Sequence, residues 1–196
     1  MRAMKLLVFA GSTRAASYNR QLARAVAEMA RPKVEGVTLL ELSDYDLPLY
    51  NADLEAHARP PAQVQLKQVF FDHAGWIICT PEYNASYPPL LKNVIDWVTS
   101  PVQGDPTWGD EFRASRGKVV GMLSASPGAL GGLRAQSHLA PLLLNIKCWV
   151  APRNHALGKA ADAFDAQGRL VNDKARAAVE AVVDQVIAAA TRLQGA

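Results

Sequence analysis

One stretch near the amino end decides the fold: Leu6-Leu7-Val8-Phe9-Ala10-Gly11-Ser12-Thr13-Arg14. Its first five residues are all apolar and a glycine closes the run, which is typical of a short strand buried on both faces. From Asn19 to Ala30 the apolar residues recur at helical spacing, and Pro32 follows just past the end of that helix. A buried strand that leads directly into a helix favours a parallel sheet joined by helical crossovers.

The same alternation continues along the chain. Further strands are predicted at 37–40, 76–80, 118–124 and 147–150, and further helices at 62–73, 88–98, 131–144 and 173–193. The irregular stretch 43–61 is expected to cover an edge of the sheet. Because there is no internal repeat and no low-complexity linker, residues 1–196 are predicted to form a single doubly wound α/β domain.

The composition excludes several classes of protein. The chain is 49% hydrophobic, and its 13 Gly and 12 Pro are scattered without a period, which excludes disordered and collagen-like sequences. A net charge of +3, with Lys and Arg dispersed, gives no basis for nucleic-acid binding. Two cysteines make no disulfide framework, and no apolar run is long enough for a membrane span or a signal peptide. A cytoplasmic protein is therefore expected.

The loop after the first strand has the composition of a phosphate site. In an open parallel sheet, ligands bind outside the carboxyl ends of the strands, where the strand order reverses. Here the loop offers Ser12, Thr13 and Ser17 hydroxyls, the Arg14 guanidinium and free backbone N–H groups that enter a helix. Helix capping by Ser17 or Asn19 is the alternative, but capping does not require a serine and an arginine together. Neither the dinucleotide G-x-G-x-x-G pattern nor a P-loop is present.

The loops after the third and fourth strands are less decisive when each is taken alone. The third-strand loop, Thr80-Pro81-Glu82-Tyr83-Asn84-Ala85-Ser86-Tyr87-Pro88-Pro89, is stiff and could hold a planar heterocycle or could simply cap the next helix. The fourth-strand loop, Ser124-Ala125-Ser126-Pro127-Gly128-Ala129-Leu130-Gly131-Gly132, has three glycines that permit close approach to a ligand, or it is an ordinary turn. No Ser-His-Asp or metal-ligating constellation can be assembled from the four histidines, and Cys79 is expected to be a buried strand residue.

Taken in order, the three loops and the helix that follows the second of them resemble the NADPH-dependent FMN reductases of flavodoxin-like fold, the group that includes bacterial quinone and chromate reductases. The resemblance covers about residues 5 to 155 and is carried by these motifs: Gly11-Ser12-x-Arg14-x-x-Ser17-x-Asn19, Pro81-Glu82-Tyr83-Asn84-x-Ser86-x-Pro88, Leu91-Lys92-Asn93-x-Ile95-Asp96-Trp97 and Ser124-x-Ser126-x-Gly128-x-x-Gly131-Gly132. It implies a three-layer sandwich around a five-stranded parallel sheet in the order 2-1-3-4-5.

The resemblance also implies a cofactor and the residues that bind it. Ser12, Arg14, Ser17 and Asn19 would hold the FMN phosphate. Pro81, Glu82, Tyr83 and Asn84 would contact the isoalloxazine edge, largely through backbone groups, and Ser124, Ser126 and Gly128 would line its other side. FMN itself carries the chemistry, so no catalytic side chain and no metal are expected.

The implied activity is hydride transfer from NADPH or NADH through FMN to a quinone, a free flavin, chromate or an azo compound, in a ping-pong cycle. The family commonly forms homodimers or homotetramers, and the link 100–117, with Trp108 and Phe112, is expected near a subunit contact or the substrate mouth. A flavodoxin-type electron carrier and a non-catalytic flavin-binding stress protein are the alternatives. Carriers are usually strongly acidic, whereas this chain has a net charge of +3 and a pI of about 8.9.

Overall fold

The computed structural model describes residues 4–194 and is built around a parallel sheet. The strands are β1 (Lys5–Ala10), β2 (Gly36–Leu40), β3 (Gly75–Thr80), β4 (Val119–Ala125), β5 (Trp149–Val150) and β6 (His155–Leu157). They lie in the order β2-β1-β3-β4-β5, and β6 pairs with β4 beyond the end of β5. The predicted strand order is confirmed, and β6 is an addition to it.

The predicted fifth strand, 147–150, corresponds to β5 alone, and β6 is a separate strand because the chain between them cannot continue the ladder. β5 pairs with Val119 and Val120, and β6 pairs with the last three residues of β4. Pro152 lies between them and has no N–H to donate. The Asn154 side chain accepts a hydrogen bond from the Met122 N–H at 3.1 Å, so a side chain replaces the missing backbone partner.

Helices cover both faces of the sheet, as predicted. They are α1 (Tyr18–Ala30), α2 (Ala52–His57), α3 (Pro61–Asp72), α4 (Pro89–Thr99), α5 (Leu133–Asn145) and α6 (Asp173–Gln194). Helices α1 and α6 pack their apolar sides on one face, and α3, α4 and α5 pack on the other, so the sheet separates two buried apolar clusters. Helix α2 was not predicted, because six residues are too few to show a helical period.

The link 100–117 does not lie at the substrate mouth, which was one of its two expected places. Trp108 is 4% exposed and packs in the core, where its ring lies edge-on to Phe71 at 5.7 Å, and Phe112 is half-buried against the same cluster. The link joins the carboxyl end of α4 to the start of β4, at the amino ends of the strands. It therefore lies at the edge of the sheet opposite the predicted site and offers no exposed aromatic side chain for a subunit contact.

None of the helices within residues 4–194 combines the length and apolar character needed to cross a membrane.

Candidate functional site

The loops after β1, β3 and β4 meet at the carboxyl edge of the sheet, where these three strands are neighbours. They enclose a cavity of about 180 Å³, lined by Ser12, Arg14, Ser17, Tyr18, Asn19, Pro81, Glu82, Tyr83, Ala125, Ser126 and Pro127. A second cavity of about 300 Å³ shares Ser12, Arg14 and Tyr83 with the first and extends over Pro88 to Leu90. The structure thus brings together eight of the eleven predicted site residues.

The loop after β1 presents polar groups that the fold itself uses only weakly. Ser12 and Ser17 are nearly buried, and the Ser17 hydroxyl caps α1 by accepting a hydrogen bond from the Arg20 N–H at 3.5 Å. The Arg14 guanidinium lies 5.8 Å from the centre of the Tyr18 ring, and within residues 4–194 no carboxylate pairs with it. Two hydroxyls, a guanidinium without a counter-ion and the amino end of α1 form a ready anion site.

Asn19 has a different role from its neighbours in this loop. Its side-chain amide donates to the Ala125 carbonyl and accepts from the Ala125 N–H, both at 2.9 Å. These two bonds fasten the first turn of α1 to the end of β4, so Asn19 sets the position of the loop.

The loop after β3 ends in a tight turn. The Tyr83 N–H donates to the Ser86 carbonyl at 2.9 Å, and the Ser86 N–H donates to the Tyr83 carbonyl at 3.0 Å. Between them Asn84 and Ala85 have φ values of 49° and 64°, the left-handed pair that defines a type I′ turn. Alanine is uncommon in this conformation, so the turn holds some backbone strain at the edge of the site. Tyr83 is 49% exposed beside both cavities.

Glu82 joins this loop to α5. Its carboxylate accepts hydrogen bonds from the Arg134 N–H at 3.0 Å and from the Arg134 Nε at 2.8 Å. Burial alone would raise the pKa of Glu82, but the hydrogen bonds and the positive charge of Arg134 outweigh it and hold that pKa below its usual value. Glu82 is therefore ionised at neutral pH and acts as a helix cap rather than as a general acid.

The loop after β4 is packed against backbone on several sides. A Cβ atom at Gly131 would lie 2.6 Å from backbone atoms of Leu157 and Gly158, and φ at Gly131 is 61°. Helix α5 consequently begins at Leu133, two residues later than the predicted 131. Ser124 is fully buried, and its hydroxyl accepts a hydrogen bond from the Gln136 side chain at 2.7 Å.

Three of the predicted residues, Asn84, Ser124 and Gly128, lie outside the lining of both cavities. Asn84 is at the exposed tip of the turn, Ser124 is bonded inward to Gln136, and Gly128 is held by hydrogen bonds within its own loop. Sequence reasoning missed Tyr18, Ala125 and Pro127, which line the cavity, and Arg134, which holds Glu82. Tyr18 and Pro127 are the immediate neighbours of predicted residues, and that adjacency was the available signal.

The two cysteines supply no nucleophile at the site. Burial raises the pKa of Cys79 far above its usual value and raises that of Cys148 to about 12, so both thiols are unreactive. His73 is held inside by the Val69 carbonyl and the Thr38 hydroxyl. Within residues 4–194 no three His, Cys, Asp or Glu side chains are grouped so that they could hold a metal ion.

A larger cavity of about 640 Å³ lies between α1 and the turn 165–170. Its charged side chains pair among themselves or with close neighbours, as Asp165 does with Arg169 and Glu28 with Arg31. Because it lies beside α1 rather than at the strand ends, we assign the functional site to the smaller cavities.

The carboxyl-edge site fits a ligand with one phosphate and a flat ring system. The Arg14 guanidinium and the two nearly buried serine hydroxyls at the start of α1 suit a single phosphate. The rigid Pro81–Ser86 segment and Tyr83 offer flat surface beside it. Fold and site together define a flavodoxin-like protein that binds a phosphorylated planar cofactor, and FMN has both features.

Comparison with known proteins agrees with this class. The family model described as NADPH-dependent FMN reductase matches residues 4–162. A quinone reductase of Pseudomonas putida is 39% identical over 180 residues, which is 91% of this chain and 90% of the relative. An NAD(P)H-dependent FMN reductase of Pseudomonas aeruginosa is 34% identical over 196 residues, 98% of each chain.

Solved structures agree as well. The flavoenzyme NAD(P)H:(acceptor) oxidoreductase from Paracoccus denitrificans is 30% identical, with a TM-score of 0.83 over 96% of this chain and 98% of that one. The chain therefore belongs to the NADPH-dependent FMN reductase family, a family of oxidoreductases. The predicted family, enzyme class and cofactors, FMN with NAD(P)H, are confirmed.

Proposed function

We propose that this chain is an FMN-dependent NAD(P)H:quinone oxidoreductase whose FMN lies across the loops after β1, β3 and β4. The observation that carries the proposal is the anion pocket of Ser12, Arg14 and Ser17 beside the flat Pro81–Ser86 segment. When bound, FMN supplies the chemistry: it accepts two electrons from a reduced nicotinamide and passes them to an acceptor.

The side chains divide into those that hold the phosphate and those that shape the rest of the site. Arg14 would bind the phosphate as a charge-assisted donor, with Ser12 and Ser17 adding hydroxyl hydrogen bonds and α1 its amino-terminal N–H groups. Pro81 and Tyr83 would face the ring system from one side, and Ala125 to Pro127 would close the other. Asn19, Glu82 and Ser124 would act by holding these loops in place.

A quinone is the proposed acceptor. The relatives include quinone reductases and a 2-hydroxy-1,4-benzoquinone reductase of a Burkholderia species. In this chain the exposed apolar side chains of Tyr83, Leu130 and Leu133 lie on the loops and helix start that surround the site. Exposed apolar surface beside a polar pocket suits a flat, weakly polar acceptor better than a charged protein partner.

Purified protein provides the direct test. It should carry or take up FMN, identified by absorbance and by chromatography of the released cofactor, and FAD in its place would contradict the single-phosphate site. NADPH or NADH should bleach the flavin under anaerobic conditions, and a quinone should restore it. Parallel double-reciprocal lines are expected for donor and acceptor. Bound flavin without steady-state NAD(P)H oxidation would favour an electron carrier or a non-catalytic flavin protein.

Self-association and compartment are also part of the proposal. Leu144 and Trp149 are exposed apolar side chains at the end of α5 and on the edge strand β5, and they offer contact surface that the link 100–117 does not. Light scattering should show a homodimer or homotetramer, and a 21.2 kDa species alone at micromolar concentration would contradict this.

A reductase that consumes NAD(P)H is expected in the cytoplasm, where these nucleotides are regenerated, and fractionation of cells that make the protein tests that placement.

A further inference from the structure

An ion pair connects two of the three loops at the site. Glu82, in the loop after β3, and Arg134, in the first turn of α5, are 52 positions apart in the chain. Backbone and side chain of Arg134 both donate to the Glu82 carboxylate, at 3.0 and 2.8 Å. The Glu82 side chain is only 11% exposed, whereas that of Arg134 is 58% exposed, so the carboxylate is the inner partner.

The local sequence explains why the cap of α5 comes from another loop. The residue before the helix is Gly132, which has φ of 88° and whose Cβ position lies 3.0 Å from the Ser124 side chain. A capping side chain therefore cannot be placed there. Glu82 supplies the missing acceptor, and its negative charge lies at the positive end of the α5 dipole.

Glu82 also faces the proposed flavin site, which makes its charge important for more than helix capping. It lines the cavity between Pro81 and Tyr83, the residues that the proposed function places against the ring system. An ionised carboxylate at this position would disfavour the negative charge that FMN acquires on reduction, unless a nearby cation balances it. Arg134 supplies that cation directly.

We propose that Arg134 is a positioning residue for FMN reduction: its ion pair with Glu82 fixes the Pro81–Ser86 segment against α5 and neutralises the carboxylate beside the flavin. This inference rests on the proposed function. It means that the Glu82–Arg134 pair influences the reduction potential of the bound FMN as well as the shape of the FMN pocket.

Midpoint potentials of the FMN-loaded, full-length protein test the inference. Arg134→Gln leaves the Glu82 charge unbalanced and should make the FMN potential more negative. Glu82→Gln leaves the guanidinium unbalanced and should make it more positive. The double variant should return towards the wild-type value. If the pair had only a structural role, the midpoint potential would shift in the same direction in both single variants, or would not shift. Either result would overturn the proposal.

Two further variants keep the test decisive. Arg116→Gln removes a guanidinium that pairs similarly with Asp110 through two hydrogen bonds, but in the link at the opposite edge of the sheet, so it should leave the potential unchanged. Arg134→Lys keeps the charge without the forked geometry and should stay close to the wild-type potential even if Arg134→Gln does not fold. A large shift in Arg134→Lys would contradict charge balance.

The inference and the proposed function fail in different ways. If the wild-type protein does not bind FMN, the proposed function fails before any potential is measured. If it binds FMN and reduces quinones while the two single variants leave the potential unchanged, the function stands and the role of Arg134 does not.

Discussion

The loop after β1 and the loops after β3 and β4 surround one site but use their polar groups differently. In the part of the chain that the structure describes, the β1 loop leaves the Arg14 guanidinium without a counter-ion, and it keeps two serine hydroxyls beside the cavity. The other two loops use their polar side chains internally, as Glu82 does with Arg134 and Ser124 with Gln136. We therefore expect the first loop to supply most of the polar contacts to the ligand, and the other two loops, which form the frame, to hold the shape of the site. Substitutions should therefore separate ligand affinity from protein stability.

The largest change in the free energy of unfolding is expected at Gly131, in the frame. Gly131→Ala would place a Cβ 2.6 Å from the backbone of Leu157 and Gly158, at a φ of 61°. Steric overlap and left-handed strain together should lower the free energy of unfolding by about 3 kcal/mol. Denaturant titration of the apoprotein measures it.

Gly168→Ala is the matched control for Gly131→Ala. Its φ is 77°, but nothing lies within 4 Å of the added Cβ, so only the strain, about 1 kcal/mol, should be lost. Equal losses in the two variants would mean that the close packing of the β4 loop contributes nothing.

The second-largest effect is expected at Asn19. This residue follows the β1 loop in sequence, but its side chain is bonded to Ala125 and so belongs to the frame. Asn19→Ala leaves the buried N–H and carbonyl of Ala125 without their partners, and should cost about 2–3 kcal/mol of unfolding free energy. Ser12→Ala should cost less than about 1 kcal/mol, because its hydroxyl accepts only a long bond of 3.4 Å from the Arg14 N–H. If Ser12→Ala were the more destabilising, the division between binding loop and frame would be wrong.

The third effect falls on affinity rather than stability. Arg14→Ala should weaken FMN binding by about 1.5–3 kcal/mol, the scale of a hydrogen bond to a charged group. Its apoprotein stability should stay within about 0.5 kcal/mol of wild type, because no carboxylate among residues 4–194 pairs with Arg14. Fluorescence titration with FMN gives the affinity. Arg24→Ala, an exposed arginine on α1 outside the site, is the control and should bind FMN as tightly as wild type.

The parts of the fold that depend on local pattern could be predicted from the sequence. The buried strands β1 and β3 are continuous apolar runs, and the helices that follow them show a clear period, so these elements could be predicted without distant information. The strand order came from the family resemblance. Strand β6 escaped prediction because it has only three residues, separated from β5 by Pro152. Trp108 escaped because its burial depends on Phe71, and the polar sequence around it gives no sign of that contact.

Residues with distant partners in the chain were the difficult part of the site. Asn19 and Ala125 are 106 positions apart, and Glu82 and Arg134 are 52 apart. The sequence places such side chains in the correct loops but does not show which of them already have a partner. Eight of the eleven predicted residues line the cavity, and two of these, Asn19 and Glu82, also hold neighbouring loops in place. Ser124 lies outside the lining and is bonded to Gln136.

The smallest expected effect is the pH dependence of the Glu82–Arg134 pair. Burial alone would raise the pKa of Glu82, but Arg134 lowers it below the usual 4.5, so the folded protein favours the ionised form. A lowered folded-state pKa contributes stability that is complete above the unfolded pKa and is lost as the pH falls through the folded pKa. The contribution should be about 1 kcal/mol or less, because Arg134 is largely exposed.

Glu82→Gln isolates this contribution, because the amide does not titrate. The difference in unfolding free energy between wild type and Glu82→Gln should be constant from about pH 5 to 7 and shrink below pH 4.5. Arg134→Gln should remove most of the same pH dependence, since it takes away the charge that lowers the pKa. Curves for wild type and Glu82→Gln that stay parallel down to pH 3 would show that the carboxylate is not held by Arg134 in solution.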